Sequence, residues 1–468
     1  MESLYHRVAA DLAQRIGSGA YLPGDRLPGV RTHARAHRIS VSTAVTAYQA
    51  LVDRGLLEAR PRSGFYVRAR QGAQPIEAAR PAQAAPPRLV TGQAMAMALI
   101  KAANDPAIVQ LGAAVPDASF LPTQAISRAL NQVMRTQRAR AAGYMMPPGA
   151  PELCRQIARR MGESGSSVPP EDIVITAGCQ EALSLALRAV TKPGDIVAVE
   201  SPTFYGLLHV LESLGLEALE IPADADDGIA LDALSFALDR WSVKACVVST
   251  NYSNPLGHCM SDNAKRGLVR LLGRRKVPLI EDDVYGDLGF ARQRPSTCKG
   301  LAPDADILYC SSFSKTLAPG LRVGWVASSG PRRERVEYLK YVGSIASPTA
   351  PQLAVAELLG SGRYERYLRE VRGQYASAVA RMTDAIMKVF PEDTRISRPQ
   401  GGFVLWLELP EGTDSFAMAR RALREGVSIA PGPLFSASRR FGHCIRLSSA
   451  RQWDARMDRA LSTLARMI

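Results

Sequence analysis

Ser311-Ser312-Phe313-Ser314-Lys315-Thr316-Leu317-Ala318-Pro319-Gly320-Leu321-Arg322-Val323-Gly324-Trp325 sets one lysine among small hydroxyl residues, with an arginine seven positions further on. A lysine amine condenses with an aldehyde cofactor, and pyridoxal phosphate (PLP) chemistry uses that linkage. The chain has nine lysines against 49 arginines, so a lysine in this setting stands out. Lys315 is expected to hold PLP as a Schiff base. Ser312, Ser314 and Arg322 are expected to take its phosphate, a task that suits hydroxyls and a guanidinium.

The rest of such a site should lie upstream in order. A pyridine ring works as an electron sink when a carboxylate faces its nitrogen. Ile280-Glu281-Asp282-Asp283-Val284-Tyr285 offers one at the end of an apolar run. Asp282, 33 residues before Lys315, is the better match, and Tyr285 can reach the ring hydroxyl. Asp283 remains an alternative, because adjacent strand residues point to opposite faces. Phosphate also favours backbone amides at a helix start. Thr176-Ala177-Gly178-Cys179-Gln180 follows the apolar run Ile173–Ile175, so Gly178, Cys179 and Gln180 are expected to present those amides. In Glu200-Ser201-Pro202-Thr203-Phe204, Phe204 is the candidate stacking ring.

Taken in this order, residues 110–450 resemble fold-type I aminotransferases. The resemblance extends to Ser253-Asn254-Pro255-Leu256-Gly257, whose Asn254 would bond the ring hydroxyl. It implies that Arg446, in Cys444-Ile445-Arg446-Leu447-Ser448, grips a ligand α-carboxylate. It implies too that Tyr144 reaches the phosphate of a neighbouring subunit, in a homodimer with sites at the subunit interface. Cys154 replaces an arginine often found at its position in that family.

A chain of 468 residues is expected to form two or three domains. The formal net charge of +14 favours anionic partners, nucleic acid first. The seven cysteines include no Cys-x-x-Cys pair, which argues against a disulfide framework or a structural zinc site and fits a reducing cytoplasm. No metal is expected. The N-terminus lacks the apolar core of a signal peptide, and no apolar run approaches the ~18 residues of a membrane span.

Three segments follow. Residues 1–68 are expected to form a helical unit with a hairpin. Residues 69–88 hold seven alanines, four prolines and three glutamines, the composition of a linker. From 89 to 468, apolar runs at Ile196–Glu200, Ala245–Thr250, Pro278–Asp282 and Ile307–Ser312 alternate with amphipathic stretches. That alternation predicts an α/β domain with a mostly parallel sheet and its site at the strands' carboxyl ends. A long helical pattern at Arg363–Phe390, then strands at Phe403–Leu409 and Cys444–Leu447, predict a smaller α+β domain.

Within residues 1–68, Leu4, Val8, Leu12 and Ile16 have helical spacing. A short second helix follows near Val30 and Ala34. Ser40 is placed to cap a third helix containing Val45, Tyr48, Leu51 and Val52. Gly55 to Val67 reads as two strands with a turn near Ser63-Gly64. Helix, helix, helix and hairpin make a winged helix-turn-helix. Residues 1–70 hold eleven arginines, no lysine and five acidic residues, a formal +6. Arg26, Arg31, Arg60 and Arg62 are candidate phosphate contacts for double-stranded operator DNA, with Ser63 and Gly64 at the wing. Ser40, Ser42, Thr43 and Thr46 are candidate contacts from the third helix.

These residues resemble the GntR family of bacterial regulators across residues 4–67. The shared pattern includes Pro23-Gly24, Leu27-Pro28, Arg31, Ser40, Thr43, Gly55-Leu56 and Ser63-Gly64. Gly29 stands where the family often has serine, and Val41 and Thr46 where it often has arginine. A winged helix joined by an Ala/Pro linker to an aminotransferase-like domain resembles the MocR branch of that family. The resemblance implies a PLP-dependent transcriptional regulator that senses a small amino acid or amine, or PLP itself. A working aminotransferase with a DNA-binding extension is the alternative.

Overall fold

The computed structural model describes residues 4–17, 21, 25–53, 56–60, 63–67, 84–90, 105–224 and 227–468. The chain divides into two compact units, Met1–Gly72 and Ala73–Ile468.

The first unit has helices Leu4–Gly17, Val30–Ala36 and Val41–Asp53, then an antiparallel hairpin of Leu57–Arg60 with Gly64–Val67. The Ser40 hydroxyl accepts the Thr43 N–H at 3.0 Å and so starts the third helix. Ala9, Leu12, Leu27, Ala47, Tyr48, Leu51, Leu57 and Val67 form one core. Two hydrogen bonds, Leu27 N–H to Phe65 O and Val67 N–H to Asp25 O, both 2.9 Å, lay the segment before the second helix along the hairpin. Val45 departs from the expected helix pattern: it is 44% exposed, and Ala44 and Ala47 take the core positions instead.

The second unit is built on a nine-stranded sheet. Its order is Arg88–Leu89, Glu217–Asp224, Ile196–Ser201, Val243–Val248, Leu279–Asp282, Ile307–Ser312, Gly324–Ala327, Ile173–Thr176, with Gly228–Ile229 off the edge. The five strands from Glu217–Asp224 to Ile307–Ser312 run parallel. Ile196–Ser201, Val243–Val248, Leu279–Asp282 and Ile307–Ser312 read as apolar runs and were legible, whereas Glu217–Asp224, broken by Glu220 and Pro222, was not singled out. The end of the expected linker behaves differently. Arg88–Leu89 pairs antiparallel with Glu217–Ala218, and Ala84 and Val90 are buried against this unit. Backbone hydrogen bonds make that strand, so an Ala/Pro composition did not announce it.

The smaller domain has an antiparallel sheet ordered Arg395–Ile396, Val404–Glu408, Cys444–Ser448, Ala430–Pro431. Val427–Ser428 pairs with Val109–Gln110, so the start of the second unit is bound into this domain. The helix Arg363–Val389 joins the two domains. Its stripe of Tyr364, Leu368, Val371 and Tyr375 sits in the large domain's core, and Val379, Met382 and Ile386 continue it into the small domain's core. Steps of three and four residues keep all seven on one face.

Candidate functional site

Parallel strands end together on one edge, and there the large domain opens into a cavity of about 540 Å³. That is the size of a cofactor site. Cys179, Gln180, Phe204, Asn254, Asp282, Tyr285, Ser312, Ser314, Lys315 and Arg322 all line it. Residues scattered over more than 140 positions therefore meet as the sequence predicts.

Gly178 sits at the start of helix Cys179–Val190 with φ +88°. A Cβ there would lie 2.6 Å from Arg322 Nη2, so only glycine lets this turn and the guanidinium meet. Arg322 Nη2 also donates to Ala177 O at 2.6 Å. The helix start, Ser312, Ser314 and Arg322 thus form a cup of donors suited to a phosphate.

Asp282 and Asp283 separate clearly. Asp282 borders the cavity, with Cys179 Sγ 3.5 Å from its Oδ1. Burial pushes its carboxyl up to about 7, and Asp283 and Glu200 add to the shift while the Cys179 bond opposes it. A cationic ring nitrogen is the partner this carboxylate lacks. Asp283 points into the protein instead. Its Oδ2 accepts from Arg294 Nη2 at 2.6 Å and Tyr309 Oη at 2.7 Å, and its Oδ1 from Asn251 Nδ2 at 3.1 Å. Arg294 also bonds Asp287, which pairs in turn with Arg160.

Lys315 Nζ donates to Ala114 O at 2.6 Å. Burial, with Arg446 and Arg322 nearby, lowers its pKa to about 8. The amine is therefore readily available in its neutral, nucleophilic form. Arg446 is fully buried, and its Nη2 donates to Gly112 O at 2.6 Å. Its Nε and Nη1 have no hydrogen-bond partner. Tyr285 Oη and Asn254 Oδ1 are also buried without partners. Orphaned buried groups are rare. Tyr285 and Asn254 line the cavity, while Arg446 does not line it but lies near Lys315 and Tyr285.

Several contributors carried no sequence signal. Ala114 and Gly112 act through backbone carbonyls, which any residue supplies. Glu200 lines the cavity, accepts from Ser249 N–H at 2.8 Å and lies 3.1 Å from His258. It stood in the stretch that singled out Phe204, and a strand-end carboxylate was the available clue. Tyr144 does not line this chain's cavity and is 76% exposed.

In the first unit, Arg26, Arg31, Ser40, Ser42 and Thr46 are exposed, and Thr43, Ser63 and Gly64 half-buried. Arg62 lies outside the described residues. Ser40 Oγ is also within 2.8 Å of Ser42 Oγ and 2.7 Å of Thr43 Oγ1. Arg60 Nε donates to Glu58 at 2.6 Å, and its guanidinium lies over the Tyr66 ring at 4.3 Å. Its charge is therefore partly spoken for.

The sheet, cup, lysine and aspartate define a PLP protein of the aminotransferase class, preceded by a winged helix. Residues 107–464 match the family model for aminotransferase class I and II, and residues 4–67 that for bacterial regulatory proteins of the gntR family. The chain belongs to the GntR-type regulators that carry an aminotransferase domain, the MocR arrangement. It is 39% identical to an uncharacterized HTH-type transcriptional regulator, YdcR of Escherichia coli strain K12, over 99% of this chain and 98% of that one. It is 30% identical to a 2-aminoadipate transaminase of Thermus thermophilus over 75% of this chain and 88% of that one. Among solved structures it resembles LysN, the α-aminoadipate aminotransferase of Thermus thermophilus, complexed with N-(5'-phosphopyridoxyl)-L-leucine. That likeness has a TM-score of 0.75 and 28% identity, covering 81% of this chain and 95% of LysN.

Proposed function

We propose that the chain is a DNA-binding transcriptional regulator whose aminotransferase-like unit holds PLP and responds to a small amino acid or amine. The observation that carries this reading is the coexistence, in one chain, of a winged helix rich in arginine and a cavity with Lys315 and Asp282 at its walls. Bound PLP supplies an aldehyde for amines and a ring that draws electrons from the carbon attached to them.

Each side chain then has a task. The Gly178–Gln180 amides, Ser312, Ser314 and Arg322 would hold the phosphate. Phe204 would cover a ring face, Asp282 would pair with the ring nitrogen, and Asn254 and Tyr285 would bond the ring hydroxyl. Lys315 would provide the amine that fixes the cofactor. Arg446 offers its two unsatisfied N–H edges to a carboxylate. Arg26, Arg31 and the third helix face DNA, with Ser63 and Gly64 at the wing.

A homodimer fits the exposed apolar side chains. Tyr144, Met146, Tyr338, Tyr341, Val342 and Ile345 are each at least 44% exposed. Met146 shares a shallow pocket with Tyr338 and Tyr341. Ile345 adopts φ +60°, a conformation β-branched residues avoid, which is a common mark of functional segments. Tyr144 would then reach the partner's phosphate cup. All seven cysteines are free, which supports a cytoplasmic setting. No described helix is long and apolar enough to cross a membrane.

Turnover as an aminotransferase is the second reading, favoured by Lys315 and Arg446 bonding neighbouring carbonyls, Ala114 O and Gly112 O. Titration of the PLP-loaded chain with amino acids and amines, beside a gel shift on its own upstream DNA, separates the two. Regulation requires ligand-dependent DNA binding. Steady conversion of amino acid to keto acid with no DNA shifted overturns it. A change caused by PLP alone would make the cofactor the signal.

A further inference from the structure

We propose that the third helix of the first unit reads thymine 5-methyl groups through Val41 and Val45. This rests on the DNA-binding reading above and adds to it what the helix recognises. The helix Val41–Asp53 has a core face of Ala44, Ala47, Tyr48 and Leu51. A second apolar feature borders that face, one step round the helix from Ala44 and Tyr48. Val41 is 47% and Val45 44% exposed. Four residues apart, they stand one turn from each other on one stripe. Valine has a single strongly preferred rotamer in a helix, so the pair is preset in shape.

The remaining chemistry of this helix narrows what it can read. Val41–Asp53 contains no arginine or lysine, and Asp53 is its only charged residue. Guanine is read chiefly by arginine or lysine on its O6 and N7, and neither is available here. Much of the hydroxyl capacity is used internally. Ser40 Oγ caps Thr43 N–H, and Thr46 Oγ1 donates to Ser42 O at 3.0 Å. Gln49 Nε2 donates to Asp53 Oδ1 at 3.0 Å. The two valines are left as outward apolar contacts.

Charge identifies the occupant. The unit's eleven arginines against five acidic residues in residues 1–70 call for a polyanion. Arg26 is exposed just before the second helix and Arg31 within it. An apolar stripe within a basic surface needs an apolar group displayed by a polyanion. On the major-groove edge of DNA that group is the thymine methyl.

The test uses the full chain and a duplex selected by it from random sequence. Each thymine is replaced in turn by uracil, which removes only the methyl. One or two positions per half-site are expected to bind about fourfold more weakly, the worth of one buried methyl-sized group. Val41→Ala and Val45→Ala, both exposed and therefore neutral for folding, should each erase the difference at one of those positions. Val45→Thr, of the same shape, should weaken binding to thymine and reduce the difference. Uracil duplexes bound as well as thymine duplexes overturn the proposal while leaving DNA binding intact. A thymine preference that survives both alanine variants also overturns it and turns the valines toward another partner. Failure to select any duplex overturns the DNA-binding reading itself.

Discussion

Asp282 and Asp283 are consecutive, yet their carboxylates occupy different worlds: one borders the cavity beside Cys179, the other is clamped by Arg294 and Tyr309. Strand alternation sends neighbours to opposite faces, and here it divides ligand chemistry from structure. Asp283→Asn leaves the buried Arg294 with a weakened partner. It should cost about 3 kcal/mol of stability, measured by urea unfolding. Asp282→Asn should cost little stability, since it removes a carboxylate that burial disfavours. It should loosen PLP by about tenfold to a hundredfold, the worth of a charged hydrogen bond, read by equilibrium dialysis. The opposite pattern would exchange their roles.

Lys315→Ala should abolish the visible absorbance that PLP acquires on the protein and its loss on borohydride treatment. Retention of that band would place the cofactor on another amine.

The pH course of PLP uptake follows from the lowered pKa of Lys315. Its neutral form attacks the aldehyde, and the neutral fraction grows as pH rises. Uptake by cofactor-free protein should therefore quicken with pH and level off above about 8, not near the 10.5 of an ordinary lysine. Stopped-flow absorbance gives the profile. A rate still climbing tenfold per pH unit beyond that point would contradict it.

Arg446→Lys keeps the charge and loses the planar fork. Amino acids should bind about tenfold more weakly or worse, while amines without a carboxylate should be little affected. Equal losses for both ligand types would remove Arg446 from carboxylate recognition.

Arg31→Ala should weaken binding to all DNA sequences alike and flatten the dependence of log affinity on log salt by about one unit. Binding measured by fluorescence anisotropy across a salt series decides it.

Much of this was legible because each part had a side-chain signature. Lys315 stood out in a lysine-poor chain, and Gly178 marked a turn that excludes a Cβ. Order along the chain joined weak fragments into one site. What was hidden had no such signature. Ala114 and Gly112 contribute carbonyls, and Arg88–Leu89 joins the sheet through backbone alone. The choice between Asp282 and Asp283 needed Arg294, which lies in a loop that no periodic pattern singles out. Val45 was grouped with the apolar residues of its helix, and a second apolar stripe facing outward breaks the assumption that apolar means core.

Lys315 and Arg446 are tethered to one short run of backbone, at Ala114 O and Gly112 O. Just before it, Val109–Gln110 is stitched to Val427–Ser428 of the small domain. One stretch of five residues, Gln110 to Ala114, therefore touches the small domain at one end and holds both charged side chains at the other, so a shift of either domain would be felt at Lys315 and Arg446 together.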